Sequence, residues 1–214
     1  MTKSIIKFAK SRDVKLPSRS NKTDAGIDFY VPVFNKQFLE DIKQKNPELF
    51  KTKMYYGSGG AGTMAGTGCV VVTGIGGSYS SAVVPKKDNF IFFDETVFKN
   101  YFILKPQEKV NIPSGIHYKM GSDRALIAFN KSGVASKDGL VMGASVCDES
   151  YQGEVHMNVI NTSNNDVKIY ENQKLVQFIE LPIILSEIKE EAIGGFFEEI
   201  TSRGAKGFGA HDSI

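Results

Sequence analysis

Apolar and polar residues alternate along most of the chain, in short runs that clusters of turn residues separate. Clear examples are "KSIIKFAK", "RALIAFNKSG" and "EVHMNVINTSNNDVKIY". Alternation with a period of two directs one face of a strand toward a core and the other toward solvent. Because Asn, Gly, Pro and Ser clusters interrupt these runs at short intervals, the pattern predicts an all-β sandwich or barrel.

Two local patterns add detail to this prediction. In Lys36–Lys45 the residues Phe38, Leu39 and Ile42 share one face of a helix, and Pro47 follows shortly afterwards, so we expect a helix there. The residues Asn161–Asp166, "NTSNND", predict a hairpin or a loop between two alternating runs.

A glycine-dense stretch from Tyr55 to Ser81 interrupts the strand pattern. It contains G-x-G-x-x-G, a fingerprint that binds dinucleotides only between a strand and a helix. The following "TMAGTG" cannot begin a helix, so we set this interpretation aside and expect a loop or an inserted hairpin. For the aromatic run Asn89–Phe98 two interpretations stay open, a strand of the insert or a cover over a hydrophobic face.

Composition limits the class of protein. The 214 residues are 41% hydrophobic, enough to bury a core in one domain. A net charge of +2, thinly spread, does not suit a dedicated nucleic-acid binder, and we expect no direct nucleic-acid binding. Two cysteines favour a reducing compartment. No apolar run approaches the ~20 residues of a membrane span, so we expect a cytoplasmic protein.

The densest group of reactive side chains lies between Asn130 and Asn161. The three histidines of the chain are far apart and lack metal-ligand spacing. No flanking pattern supports Cys147 as a nucleophile, and we expect a small buried thiol. The carboxylate of Asp148 remains, and it could deprotonate a water for hydrolysis. On these residues alone, an Asp that caps a turn is the interpretation we would favour.

Beyond these single residues, the chain resembles a known family, the trimeric dUTPases. Five segments are similar to the five motifs of that family and occur in the same order. They are Ala25–Phe29 "AGIDF", Lys131–Ala135 "KSGVA", Gly143–Val155 "GASVCDESYQGEV", Asn172–Gln177 "NQKLVQ" and Arg203–Ala210 "RGAKGFGA". The resemblance covers the chain except for residues 34–101, where family members have a much shorter connection.

The resemblance implies an all-β, jelly-roll-like barrel in a single domain over residues 1–214. It implies a homotrimer, an insert at about 34–101, and a flexible C-terminal arm at 201–214 that closes over the pocket of a neighbouring subunit. The implied activity is that of a dUTP diphosphatase, which hydrolyses dUTP to dUMP and pyrophosphate with Mg²⁺. Such an enzyme limits uracil in DNA and supplies dUMP for dTMP synthesis.

The resemblance also implies roles for individual residues. Asp148 would activate the water that attacks the α-phosphate, and Tyr151 would pack on the deoxyribose and leave no room for a 2′-hydroxyl. Asp28 would contact Mg²⁺ through water. The remaining substrate-binding residues would be Lys131, Ser132, Gly133, Gln177, Arg203, Gly207, Phe208 and Gly209, with the Arg203 guanidinium on the phosphates and the Phe208 ring on the uracil.

The sequence departs from the family pattern at several phosphate-binding positions. Lys131 stands in place of an arginine, and its ammonium cannot make the bidentate hydrogen bonds of a guanidinium. Asn172 and Lys174 replace glycine and arginine in the fourth motif. Ala210 and His211 stand where Ser-Thr would contact the terminal phosphate. We expect these changes to weaken triphosphate binding while leaving an active enzyme.

Two other functions are compatible with a protein of this fold. A non-catalytic protein of the same fold could bind nucleotide and regulate a protein partner through the long insert. A dCTP deaminase, which shares the fold, would need a catalytic glutamate where this chain has Asn158, and an amide cannot serve as a base. We therefore keep the regulatory protein as the alternative to dUTP hydrolysis.

Overall fold

The structure is a computed structural model that describes residues 5–50, 91–197, 199 and 201–205. The chain divides into two compact units, Met1–Ile183 and Ile184–Ile214. The glycine-dense stretch, Cys69 and residues 206–214 lie outside the described residues. The predictions for Gly207, Phe208, Gly209, Ala210 and His211 therefore lie there too.

The described residues form twelve strands and three short helices. The helices are α1 (Lys36–Lys45), α2 (Pro47–Phe50) and α3 (Ser132–Asp138). The first six strands are β1 (Lys7–Lys10), β2 (Ile27–Tyr30), β3 (Phe92–Asp94), β4 (Lys99–Leu104), β5 (Lys109–Pro113) and β6 (Ile116–Lys119). The others are β7 (Arg124–Asn130), β8 (Leu140–Met142), β9 (Val146–Asp148), β10 (His156–Asn161), β11 (Val167–Tyr170) and β12 (Lys174–Pro182).

These strands pair in antiparallel fashion into four small sheets, and the predicted all-β fold is confirmed. The sheet orders are β1-β6, β5-β10-β8, β11-β4-β3 and β2-β12-β7-β9. Neighbours in a sheet are mostly distant in sequence, as in a jelly-roll-like arrangement. The alternation read from the sequence matches the burial pattern, and in β10 every second side chain is buried.

The helix predicted at Lys36–Lys45 forms over those residues. Asn35 caps its first turn through a 2.9 Å hydrogen bond from the Phe38 amide, while Phe38 and Ile42 are buried. The helix ends at Asn46, whose amide side chain bonds the backbone of Asn111 on β5. Local pattern and tertiary packing therefore agree for α1.

The local sequence at Ser132–Gly133 does not indicate a helix, since a Ser-Gly pair is typical of a turn. These residues begin α3, a helix that contains serine and glycine and has little intrinsic propensity. The helix forms because Val134 packs into the core and Gly139 ends it with a left-handed backbone, φ 67°. Packing here overrides local preference.

The two open predictions about connections are now decided. In Asn161–Asp166 the residues after Asn161, the end of β10, form a loop, because β10 and β11 belong to different sheets and do not form a hairpin. Part of Asn89–Phe98 is the strand β3, which pairs with β4, within the segment that we expect to be an insert. The Phe93 and Phe98 side chains of this region are exposed.

Buried apolar side chains from all four sheets form the core of the first unit. It includes the aromatic pair Phe29 and Phe178, whose ring centroids are 4.4 Å apart. In the second unit, the described residues include the exposed apolar side chains Ile184, Leu185 and Ile188. Among the described helices, not one has the length and apolar character needed to cross a bilayer.

Candidate functional site

A cavity of about 230 Å³ opens beside the end of β9 in the first unit. We call it the Asp148 cavity. Its lining residues are Asn111, Ala144, Ser145, Val146, Cys147, Asp148, Tyr151, His156 and Phe178. The structure therefore places Asp148 and Tyr151, which the sequence motifs indicated, at one cavity. A volume of this size is smaller than a typical site for a drug-sized ligand.

Asp148 is the last residue of β9 and pairs with Ala125 of β7. Its backbone carbonyl accepts hydrogen bonds from the Tyr118 hydroxyl and from the Tyr151 amide, the latter at 3.1 Å. Its side chain is exposed, and across the described part of the chain its carboxylate has no hydrogen-bond or ion-pair partner. The backbone thus fixes the position of Asp148 while its carboxylate stays open to a water or ligand.

Tyr151 stands at the mouth of the cavity with 42% of its surface exposed. Its hydroxyl donates to the Glu154 carbonyl at 2.8 Å, so the ring folds back over the chain. Gly153 permits this fold, because a Cβ at that position would lie 2.3 Å from the Tyr151 hydroxyl oxygen. A residue with a side chain at position 153 would therefore clash with Tyr151, which explains the glycine in this motif.

Burial and the nearby carboxylate affect the other ionisable groups of the cavity. Desolvation, together with the charge of Asp148, raises the pKa of the Cys147 thiol to about 11. Desolvation also raises the pKa of Tyr118, and the neighbouring groups Cys147, Asp148 and Tyr151 add to this effect. Cys147 is only half buried, less than expected, but its thiol stays protonated at neutral pH and is a poor nucleophile.

His156 forms another wall of the cavity. Its Nδ1 lies 2.9 Å from the Glu154 carbonyl, which can only accept, so Nδ1 carries the proton. Burial lowers the pKa of this histidine, and the charges of Lys45 and Arg12 act in the same direction. A neutral imidazole therefore faces the cavity.

Asp28 lies at a different place in the fold, at the centre of a second group that we call the Asp28 cluster, formed with Lys131 and Lys174. Its Oδ1 accepts from the Lys131 ammonium at 2.9 Å, and its Oδ2 is 2.8 Å from the Lys174 ammonium. The hydroxyl of Ser20 also donates to Oδ2. Burial raises the pKa of Asp28, but the two lysines outweigh it and the pKa lies below its ordinary value.

The Asp28 carboxylate has little capacity left for direct coordination of a metal ion. A carboxylate accepts at roughly four sites, and three donors already occupy the two oxygens of Asp28. Two ammonium groups against one carboxylate leave an excess positive charge, which suits phosphate oxygens. Among the described residues, no group of three His, Cys, Asp or Glu side chains is placed to hold a metal ion.

Gln177 and Ser132 lie near this cluster in the sheet. Gln177 pairs with Asp28 across β12 and β2, and its amide donates to the Asn130 carbonyl at 2.9 Å. Gly26 lets it approach, because a Cβ there would lie 2.5 Å from the Gln177 oxygen. Ser132 and Gly133 follow Lys131 at the exposed start of α3.

Strand register separates the two groups within one chain. On β12, Gln177 pairs with Asp28. Asp148 pairs with Ala125 on β7, and Ala125 pairs with Leu181 on β12. Gln177 and Leu181 are four residues apart along β12, which corresponds to about 13 Å. The first unit therefore does not bring Asp148 next to Gln177.

Arg203 belongs to the second unit. It is exposed, in a turn where the Gly204 amide donates to the Thr201 carbonyl at 3.0 Å. The roles of Arg203, and of Gly207, Phe208 and Gly209 beyond it, stay predictions.

Sequence reasoning missed the partners of the nominated residues. We treated Lys174 only as a departure from a motif, although it contacts Asp28. We did not identify Arg12 and Glu154, which are paired across 142 positions of sequence. Lys174 occupies the basic position of the fourth motif, and this could have indicated that it contacts Asp28. No local pattern indicated Arg12.

Comparison with known proteins agrees with the resemblance. The profile of the family described as dUTPase matches residues 79–210, which include the second to fifth motifs and exclude Ala25–Phe29. A deoxyuridine 5'-triphosphate nucleotidohydrolase of Bdellovibrio bacteriovorus is 32% identical over 110 residues, which are 50% of this chain and 71% of that protein.

Solved structures of phage enzymes share the fold. The dUTPase of Staphylococcus bacteriophage 80alpha, in complex with dUPNHPP, aligns over 100% of both chains with a TM-score of 0.58 and 18% identity. A mutant of the dUTPase of S. aureus phage phi11, described with a structural Mg(II) ion, covers 87% of this chain and 96% of its own, with a TM-score of 0.52 and 17% identity.

Proposed function

The chain belongs to the dUTPase family, and from that premise we propose that it hydrolyses dUTP to dUMP and pyrophosphate. The observation that carries the proposal is the Asp148 cavity, where an unpartnered carboxylate and a tyrosine lie together in a member of this family. We propose that the nucleoside enters this small, open cavity and that its phosphate chain extends outward past Asp148.

In the proposed reaction, the Asp148 carboxylate accepts a proton from a water that attacks the α-phosphorus. A bond forms between the water oxygen and this phosphorus, and the bond to the β-phosphate oxygen breaks to release pyrophosphate. Tyr151 packs against the deoxyribose and excludes a 2′-hydroxyl. The open carboxylate of Asp148 and the fixed ring of Tyr151 support these roles.

The Asp28 cluster is proposed to bind phosphate oxygens through Lys131 and Lys174, with Ser132, Gly133 and Gln177 nearby. Mg²⁺, bound by the triphosphate, would neutralise part of the phosphate charge. Asp28 keeps the two ammonium groups together. Because both of its oxygens accept from lysine, we propose that it contacts the hydrated ion through water.

We further propose that the active unit is a homotrimer in which different subunits supply the two groups. The strand register supports this sharing. In one chain, Gln177 lies about 13 Å along β12 from Leu181, the β12 residue in register with Asp148. A mixing experiment tests this sharing. Trimers reassembled from Asp148→Asn and Lys131→Met subunits should regain part of the activity that each variant lacks, and no gain would argue for sites within single chains.

The activity itself is tested by pyrophosphate release from dUTP with UTP, dCTP and dTTP as comparison substrates. We expect Asp148→Asn to lower kcat by about 10²–10⁴-fold, the usual contribution of a general base. Glu149→Gln is a matched control, because it removes the neighbouring exposed carboxylate, which bonds only the Asp123 amide in the described chain. An equal loss in both variants would argue against Asp148 as the base.

The same assay separates this proposal from the alternatives. Nucleotide binding without pyrophosphate release would favour the regulatory protein that acts through the insert. Ammonia release from dCTP would indicate a deaminase, although Asn158 is engaged with the Ala144 amide at 3.3 Å and is no base. Deletion of residues 203–214 should lower turnover if Arg203 and Phe208 contact the nucleotide, and unchanged turnover would refute their roles.

A further inference from the structure

A buried arginine holds the chain segment that follows Tyr151. The Arg12 side chain is only 4% exposed, and its Nε and Nη2 donate to the two oxygens of Glu154 at 2.9 and 2.8 Å. The Gly115 amide donates to the same carboxylate. Gly115 has φ +73° and allows this packing, because a Cβ there would lie 2.2 Å from the Arg12 Cγ. A two-pronged guanidinium contact of this kind fixes both position and orientation.

The backbone of Glu154 in turn holds two walls of the Asp148 cavity. Its carbonyl accepts from the Tyr151 hydroxyl at 2.8 Å and lies 2.9 Å from the protonated Nδ1 of His156. A shift of this carbonyl would therefore release both rings. Because the side chain of Glu154 is clamped by Arg12, the position of the carbonyl depends on that clamp.

Helix α1 contributes to the same network. Asp41 on α1 accepts from Nη2 of Arg12 at 2.9 Å, so one guanidinium nitrogen bridges two carboxylates. The helix is itself anchored by the buried side chains of Phe38 and Ile42. Since α1 lies within the insert at 34–101, the network connects the insert to the Tyr151 ring.

We propose that Glu154, clamped by Arg12, is a positioning residue that sets the Tyr151 ring to select deoxyribose over ribose, and that Asp41 of α1 tightens the clamp. This inference rests on the proposed function of the site. It assigns the insert a part in substrate selection. A network that only stabilises the fold would also lose stability when broken, but it would not change the choice between dUTP and UTP.

The experiment measures kcat/KM for dUTP and UTP, well below the melting temperature, in wild type, Glu154→Gln and Asp41→Asn. Loss of the clamp should lower the dUTP-to-UTP ratio by about tenfold in Glu154→Gln, because a loosened ring admits the 2′-hydroxyl. The ratio should fall less, by about threefold, in Asp41→Asn, which keeps the Arg12–Glu154 contact. If Glu154→Gln fails to fold, Asp41→Asn is the test, and a dUTP-to-UTP ratio within twofold of wild type in that variant would overturn the proposal.

Asp94→Asn is the matched control for stability. Asp94 accepts from the Lys168 ammonium at 2.9 Å and the Tyr170 hydroxyl at 2.8 Å, in the sheet of β3, β4 and β11. Its loss should lower the melting temperature and leave the substrate ratio as in wild type. A ratio within twofold of wild type in both Glu154→Gln and Asp41→Asn would overturn the proposal.

A second readout does not depend on turnover. In protein labelled with fluorotyrosine, the ¹⁹F resonance of Tyr151, assigned by its loss in Tyr151→Phe, should shift or broaden in Glu154→Gln and stay unchanged in Asp94→Asn. An unchanged resonance in Glu154→Gln would refute the clamp. If wild type failed to cleave dUTP, the proposed function would be wrong, and this resonance alone would decide whether Glu154 positions the ring.

Discussion

Replacement of Asp28 by asparagine tests the electrostatics of the Asp28 cluster. The change keeps the shape of the side chain and removes its charge. The ammonium groups of Lys131 and Lys174 then lose a partner that now lies within 3 Å of each. The variant leaves two cations facing a neutral amide in a buried position.

The cost can be estimated from the contacts. A hydrogen bond to a charged group contributes about 1.5–3 kcal/mol. In Asp28→Asn the amide oxygen can still accept from one lysine, so one of the two bonds is lost and the other loses its negative partner. The full sum does not apply, because the lysine side chains are 29% and 37% exposed and can turn toward water. We expect a loss of about 3 kcal/mol in the free energy of unfolding, which corresponds to a melting temperature lower by about 6–12 °C.

The pH dependence has a definite sign. The pKa of Asp28 in the folded protein lies below its ordinary value of 3.8. A carboxyl group of this kind stabilises the folded state at pH values above its unfolded pKa, and the contribution disappears as pH falls through the lower, folded pKa. The difference between wild type and Asp28→Asn should therefore be constant near neutrality and shrink below pH 3.8.

Thermal unfolding followed by circular dichroism at pH 7 and in the acid range measures both effects. Asp24→Asn is a suitable control, because Asp24 is a carboxylate of the same segment that bonds only the nearby Asn21 in the described structure. We expect it to change stability by less than about 1 kcal/mol. A melting temperature of Asp28→Asn equal to that of wild type at pH 7, or a deficit that persists undiminished in acid, would refute the pairing.

Two further predictions concern the Asp148 cavity. Gly153→Ala should lower the dUTP-to-UTP ratio with little change in melting temperature, because its Cβ would lie 2.3 Å from the Tyr151 hydroxyl oxygen and would push this exposed ring out of its position. A wild-type ratio would show that the ring position is unimportant. Cys147, with a pKa of about 11 against the ordinary 9.0, should form about a hundredfold less thiolate at pH 8. Peptide mass spectrometry after iodoacetamide should then find it alkylated far more slowly in native than in urea-unfolded protein, and equal rates would contradict the raised pKa.

Local pattern was sufficient for much of the fold. The period-two alternation predicted strands such as β10, where every second side chain is buried, and helical spacing predicted α1. These features depend on neighbours within a few residues, so the sequence displays them directly. The motifs likewise indicated Asp148 and Tyr151, which the structure places at one cavity.

Packing and register decided what local pattern could not. Helix α3 forms against its propensity because Val134 has a place in the core, and the "NTSNND" loop joins strands whose partners lie in different sheets. In both cases the deciding contacts are with residues distant in sequence.

The sequence by itself determined the family and indicated which side chains are candidates for its chemistry, since both depend on short motifs in a fixed order. Only the tertiary structure decided which charges meet. Lys131 reaches Asp28 across 103 positions and Arg12 reaches Glu154 across 142. Such pairs depend on strand register, which many distant contacts set together, and one sequence without its fold does not specify them.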